Sequence, residues 1–138
     1  MQWDDSKYAG FAAEDSAEPW IAVNGNHTKI NAADQLRDED SIFHYYQKLI
    51  ALRKELDIIA YGSIEPLAEK DPCVFAYRRM YEGHELIVAA NFYGRDYTWK
   101  NAPDVDGYTR VIGNYKDAAA AENGVMGLRP YEAAVWYK

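Results

Sequence analysis

Residues Asp40–Leu56 read DSIFHYYQKLIALRKEL, and their reading decides how the rest of the chain is organised. Ile42, Tyr45, Tyr46, Leu49, Ile50, Leu52 and Leu56 recur at helical spacing on one face, with His44, Gln47, Lys48, Lys54 and Glu55 opposite. Asp40 or Ser41 is placed to cap the first turn through a side-chain oxygen. Asp38, Glu39 and Asp40 suit the positive end of the helix dipole, and Arg53 and Lys54 the negative end. The apolar face is wide and aromatic, so this helix is expected to dock on a large apolar surface. By spacing, Arg53 falls inside the apolar stripe. It must snorkel to water or find a partner, and an acidic side chain or carbonyls near the helix end are expected.

Upstream, residues 1 to 39 read as irregular structure. Turn formers recur at Asp4-Asp5-Ser6, Ala9-Gly10, Glu18-Pro19 and Asn24-Gly25-Asn26. Only Ala32 to Leu36 suggests a short helical turn. A structureless loop of this length does not belong in a small compact domain, which marks the segment as part of something larger.

Downstream, the period changes from helix to strand. Ile58–Ile64 reads as a short extended run. Val74–Tyr81 (VFAYRRMY) and Glu85–Phe92 (ELIVAANF) read as a β-hairpin turning at Glu82-Gly83. Asp96–Lys100, Tyr108–Tyr115 and Glu132–Lys138 follow, separated by turn signals such as Asn101-Ala102-Pro103, Asp106-Gly107, Glu122-Asn123-Gly124 and Arg129-Pro130. Six or seven antiparallel strands in a sandwich or open barrel are expected. The alanine run at Ala118 to Ala121 is too short for an independent helix.

Composition narrows the function. A chain of 138 residues is large enough for a core without staples. Its net charge of −7 argues against nucleic acid and anionic membrane as partners. No apolar run approaches the ~18 residues of a membrane span, and MQWDDSKYAG has no signal-peptide character. Cys73 is the only cysteine, which excludes an internal disulfide and fits a cytoplasmic location. It reads as a plain strand thiol. Twelve tyrosines and four tryptophans exceed ordinary usage, as in β-rich domains and in carbohydrate-binding surfaces alike.

Motifs for chemistry are few. His27, His44 and His84 show no metal-ligand spacing, and neither a phosphate loop nor a G-x-S-x-G element is present. Carboxylate pairs such as Asp4 and Asp5 lie in loops, without the rigid frame that catalysis requires. Trp3, Phe11 and Trp20 in the loop either stack on sugar or anchor the loop onto an apolar surface. Trp99 and Trp136, in expected strands, are read as core.

Several stretches in order carry a resemblance: MQWDDSKYAGF at the start, then PWIAVNGNHTKINAADQL, DSIFHYYQKLIALRKE, DPCVFAYRR, LIVAANF and finally LRPYEAAVWYK. Together they resemble the α-glucosidases of glycoside hydrolase family thirteen, in the group of oligo-1,6-glucosidases, dextran glucosidases and trehalose-6-phosphate hydrolases. The resemblance runs from Met1 to Lys138. Gly25 departs from it, standing where the family often has proline, and so does Glu39 before the helix.

The resemblance implies a (β/α)8 catalytic barrel followed by a C-terminal antiparallel β domain. Residues 1–57 would be the last βα loop and the final outer helix of the barrel, and 58–138 the β domain. The expected fold class is therefore mainly β: an antiparallel β-sandwich preceded by a long loop and one amphipathic helix left over from a barrel. A whole barrel takes about 250 residues, so the chain reads as a C-terminal fragment and Met1 as an internal methionine of a longer protein. The family's catalytic carboxylates all precede the matched region, so no catalytic residue is assigned and the fragment alone is expected to be inactive. Trp3 and Phe11 are the candidate substrate-binding residues of the parent pocket. No metal and no cofactor is expected. The implied ligand is a small oligosaccharide, and surface left uncovered would favour self-association. The alternatives are a stand-alone carbohydrate-binding or structural β module, or part of a related isomerase.

Overall fold

A computed structural model describes residues 1–117 and 121–138. Most of the alanine run at 118–121 thus lies outside the described residues. The chain divides into two compact units, Met1–Ile50 and Ala51–Lys138.

The first unit is loop-rich, as its turn formers dictate. It contains a short 3-10 turn, Gly25–Thr28, then α1 (Ala32–Arg37), and it takes in the start of α2 (Ile42–Glu55). Asn31 opens α1: its Oδ1 accepts the Asp34 N–H at 2.9 Å, and its Nδ2 donates to the His27 carbonyl at 2.9 Å. Both ends of this buried amide are therefore satisfied, as burial requires. Ser41 is the residue that caps α2. Its Oγ accepts the His44 N–H at 3.3 Å and donates to the Gln35 carbonyl at 2.7 Å, which fixes α2 to the end of α1.

The second unit is an antiparallel β-sandwich. One sheet has the order β1-β2-β3-β7-β5, where β1 is Ser63–Pro66, β2 Val74–Tyr81, β3 His84–Asn91, β5 Thr109–Gly113 and β7 Ala133–Tyr137. The other pairs β4 (Tyr97–Lys100) with β6 (Val125–Leu128). The β2–β3 hairpin turns at Glu82-Gly83, with φ of 49° and 85°, the left-handed pair that matches strand twist in a two-residue turn. It sets the register Tyr81↔His84 through Val74↔Asn91. Alternate residues of the large sheet, Ile87, Ala89, Ala134 and Trp136, meet Trp99, Met126 and Leu128 of the small sheet in one core. Both tryptophans read as core are core.

The structure corrects the sequence reading in three places. The expected extended run Ile58–Ile64 is instead a helical turn, α3 (Ile58–Tyr61), followed by β1. Arg79 explains it: its Nε donates to the Ile58 carbonyl at 2.9 Å and its Nη2 to the Gly62 carbonyl at 2.6 Å, satisfying the helix end from β2. Gly62 is needed there, because a Cβ would lie 2.6 Å from the Ile58 carbonyl oxygen. Strand β6 was not expected at all, since Gly127 and its short length hide it. Arg53 has no hydrogen-bond or ion-pair partner among the described residues and is exposed, so it snorkels to water rather than pairing. No described helix is long and apolar enough to cross a membrane.

Candidate functional site

The segment before α1 carries both candidate substrate-binding residues. The chain enters through Gln2 and Trp3, whose carbonyls accept the N–H groups of Ala32 and Ala33 at 2.9 Å each, tying the entry to the start of α1. It then makes a tight corner. Asp4 Oδ1 accepts the Ser6 N–H at 3.1 Å and the Ser6 hydroxyl at 2.5 Å. Ser6 Oγ in turn accepts the Gly10 N–H at 3.1 Å. The Trp3 N–H donates to the Ala9 carbonyl at 3.0 Å and closes the loop. Ala9 and Gly10 are both left-handed, with φ of 51° and 73°, and Ala9 is fully buried. The side chains of Trp3 and Phe11 each remain 54% exposed. Nothing in the sequence marks Ala9 as left-handed, although the Ala9-Gly10 pair was legible as a turn.

Trp20 is 94% exposed, so within the described chain it anchors nothing. Of the acids in this segment, Asp4 is committed to its turn, and Asp5, Glu14 and Asp15 stand exposed in loops. None is brought opposite another on a rigid element. The arrangement can offer aromatic surface; it offers no carboxylate pair for acid–base work.

A groove of about 570 Å³ lies in the same unit, lined among others by Met1, Ile30, Phe43, Tyr46 and Ile50. Its lining includes the face of α2 that the sequence marks as apolar. Ile42 is 71%, Tyr46 62% and Ile50 54% exposed, so the expected docking surface is not supplied by the described residues.

The most tightly held carboxylate lies in the second unit. Glu132, 1% exposed, accepts the backbone N–H and Nε–H of Arg129 on one oxygen and Nη2–H on the other, at 2.8, 3.0 and 2.8 Å. Burial pushes its pKa up, but the Arg129 hydrogen bonds and charge outweigh that and hold it below the ordinary glutamate range. Arg129 also binds Asp117, whose carboxyl it depresses through a hydrogen bond, and lies 4.0 Å over the Tyr115 ring. Both acids engage the guanidinium, so this cluster holds the loop before β7 in place.

The family model described as alpha amylase, catalytic domain, matches residues 1–62. The whole chain is similar to the oligo-1,6-glucosidase of Halalkalibacterium halodurans, 42% identical over 99% of the chain and 24% of that protein. It is similar to the trehalose-6-phosphate hydrolase of Escherichia coli, 38% identical over 99% of the chain and again 24% of that protein. The crystal structure of Bacillus licheniformis trehalose-6-phosphate hydrolase superposes with a TM-score of 0.88 at 37% identity, covering 99% of this chain and 25% of that one. The chain thus spans about a quarter of the length of the relatives it matches.

Proposed function

We propose that this chain, which matches the alpha-amylase catalytic domain over residues 1–62 and resembles oligo-1,6-glucosidases over 99% of its length, is the C-terminal part of an α-glucosidase of glycoside hydrolase family thirteen acting on short oligosaccharides. The observation that carries this is similarity over 99% of the chain, loop, helix and β-sandwich in one order, to proteins named for hydrolysing oligo-1,6-glucosides and trehalose 6-phosphate. In this reading residues 1–57 are the last βα loop and final outer helix of the catalytic barrel, and 58–138 its C-terminal β domain. The family match at residues 1–62 and the exposed apolar face of α2 support that assignment. The rest of the barrel would cover that face and close the groove.

The parent would cleave with retention, using two carboxylates about 5 Å apart, one as nucleophile and one as acid/base. Barrel enzymes set such groups on strand ends across the whole C-terminal face. Those strands are not in this chain, so its part is to wall the pocket with Trp3 and Phe11 and to brace the barrel with the β-sandwich. The ligand is a small oligosaccharide and the location cytoplasmic, which the lone thiol suits. Alone, the chain would self-associate through the face of α2.

The test is to assay purified residues 1–138 with p-nitrophenyl α-glucoside, isomaltose and trehalose 6-phosphate. No turnover is expected. Turnover abolished by changing one acid, such as Asp5→Asn or Glu14→Gln, would overturn the reading.

A further inference from the structure

We propose that the corner built by Asp4, Ser6, Ala9 and Gly10 is a positioning device that holds the Trp3 ring as a stacking platform for one sugar ring of the substrate. The identity of the ligand as a sugar rests on the function proposed above; the positioning does not.

Trp3 combines a pinned main chain with an open ring. Its N–H is held by the Ala9 carbonyl at 3.0 Å, and its carbonyl by the Ala33 N–H at 2.9 Å. The indole nevertheless stays half exposed. Trp20, more exposed still, has no such bracing of its main chain among the described residues. Main-chain rigidity of this kind lowers the ordering cost that an aromatic on a flexible loop would meet on binding.

The bracing depends on Gly10. Its Cα lies against the Trp3 stem, and a Cβ there would fall 2.9 Å from Trp3 Cβ and 3.1 Å from Asp4 Oδ2. Its φ of 73° also disfavours any side chain, directly after Ala9 at 51°. Two successive left-handed residues, one a fully buried alanine, form a strained corner that persists only where its surroundings over-determine it. Here the surroundings are the Asp4–Ser6–Gly10 hydrogen-bond chain, and what they fix is the position of Trp3.

The experiment has two arms. In the 138-residue chain, amide exchange of the Trp3 N–H is measured for the native sequence, Ser6→Ala and Gly10→Ala. Protection should fall by at least about tenfold in both variants, as for loss of a local opening barrier, with β-sandwich amides unchanged. In the enzyme made by joining this chain to the upstream part of the H. halodurans relative, KM and kcat for isomaltose are measured. Trp3→Ala should raise KM about tenfold, the loss ordinary for a truncated tryptophan anchor, and Trp3→Phe should restore part of it. Gly10→Ala should raise KM without a matching loss of kcat. It should add nothing in a Trp3→Ala background, because it acts through Trp3. Additive losses, unchanged KM in Trp3→Ala, or unchanged exchange in Gly10→Ala would overturn the proposal. A joined enzyme that is inactive with the native sequence would instead count against the proposed function, and the exchange arm would still decide the positioning.

Discussion

Replacing Glu132 with Gln should be among the costliest conservative changes in the β-sandwich. The native carboxylate accepts three hydrogen bonds from Arg129, and each charge-assisted bond contributes about 1.5–3 kcal/mol net. Glutamine keeps one carbonyl oxygen for the backbone N–H and Nε–H, but its amide nitrogen then faces Nη2 as donor against donor. One strong bond and the negative charge are lost, while Asp117 still engages the guanidinium. The expected loss is about 2–3 kcal/mol, or a melting temperature lowered by about 10 °C or more in a domain of this size. The sign of the pH dependence follows from the depressed glutamate. The contribution of the pair is complete above the unfolded-state value of about 4.3 and disappears as pH falls through the lower folded value. The gap between native and variant should therefore be full at pH 7 and narrow below about pH 4. Melting followed by tryptophan fluorescence is the assay, because Trp99 and Trp136 lie in the core. A variant melting with the native chain at pH 7, or a gap that widens in acid, would refute the reasoning.

Other outcomes are expected from the same structure. Arg53→Ala should change stability by no more than about 0.5 kcal/mol, as for any exposed unpaired side chain, and a larger loss in urea unfolding would reveal a missed partner. Gly62→Ala should cost about 1–3 kcal/mol through its clash with the Ile58 carbonyl, read as a lowered denaturation midpoint of the β-sandwich. The isolated chain should associate with increasing concentration in sedimentation experiments, and Tyr46→Ser with Ile50→Ser should abolish it; a strictly monomeric native chain would contradict that expectation.

Legibility in the sequence followed the range of the forces involved. The β2–β3 hairpin could be read closely because Glu82-Gly83 and the flanking runs are local signals. Helix α2 is legible from its period, and its cap as Asp40 or Ser41, of which the structure uses Ser41. Residues 58–61, Ile-Ile-Ala-Tyr, carry strand-like composition, and the distant Arg79 helps to hold them as a helical turn. Strand β6 depends on its partner β4 in the same way. Arg53 lies within the apolar stripe by its spacing, but that stripe meets no surface within the described residues, so nothing forces a partner on it. Trp3 and Phe11 could be singled out by type and place. The left-handed Ala9 whose carbonyl holds the Trp3 N–H could not, because alanine gives no signal for a conformation that its surroundings impose.

The central claim, that this chain completes a catalytic barrel it does not itself contain, is tested most directly by joining residues 1–138 to the upstream part of the H. halodurans oligo-1,6-glucosidase, in place of that protein's own matching quarter. The account predicts that the joined protein hydrolyses isomaltose while residues 1–138 alone do not. A joined protein that folds, shown by a cooperative melt and native-like exchange protection of the β-sandwich, yet lacks turnover would contradict it. So would hydrolysis by the 138-residue chain alone.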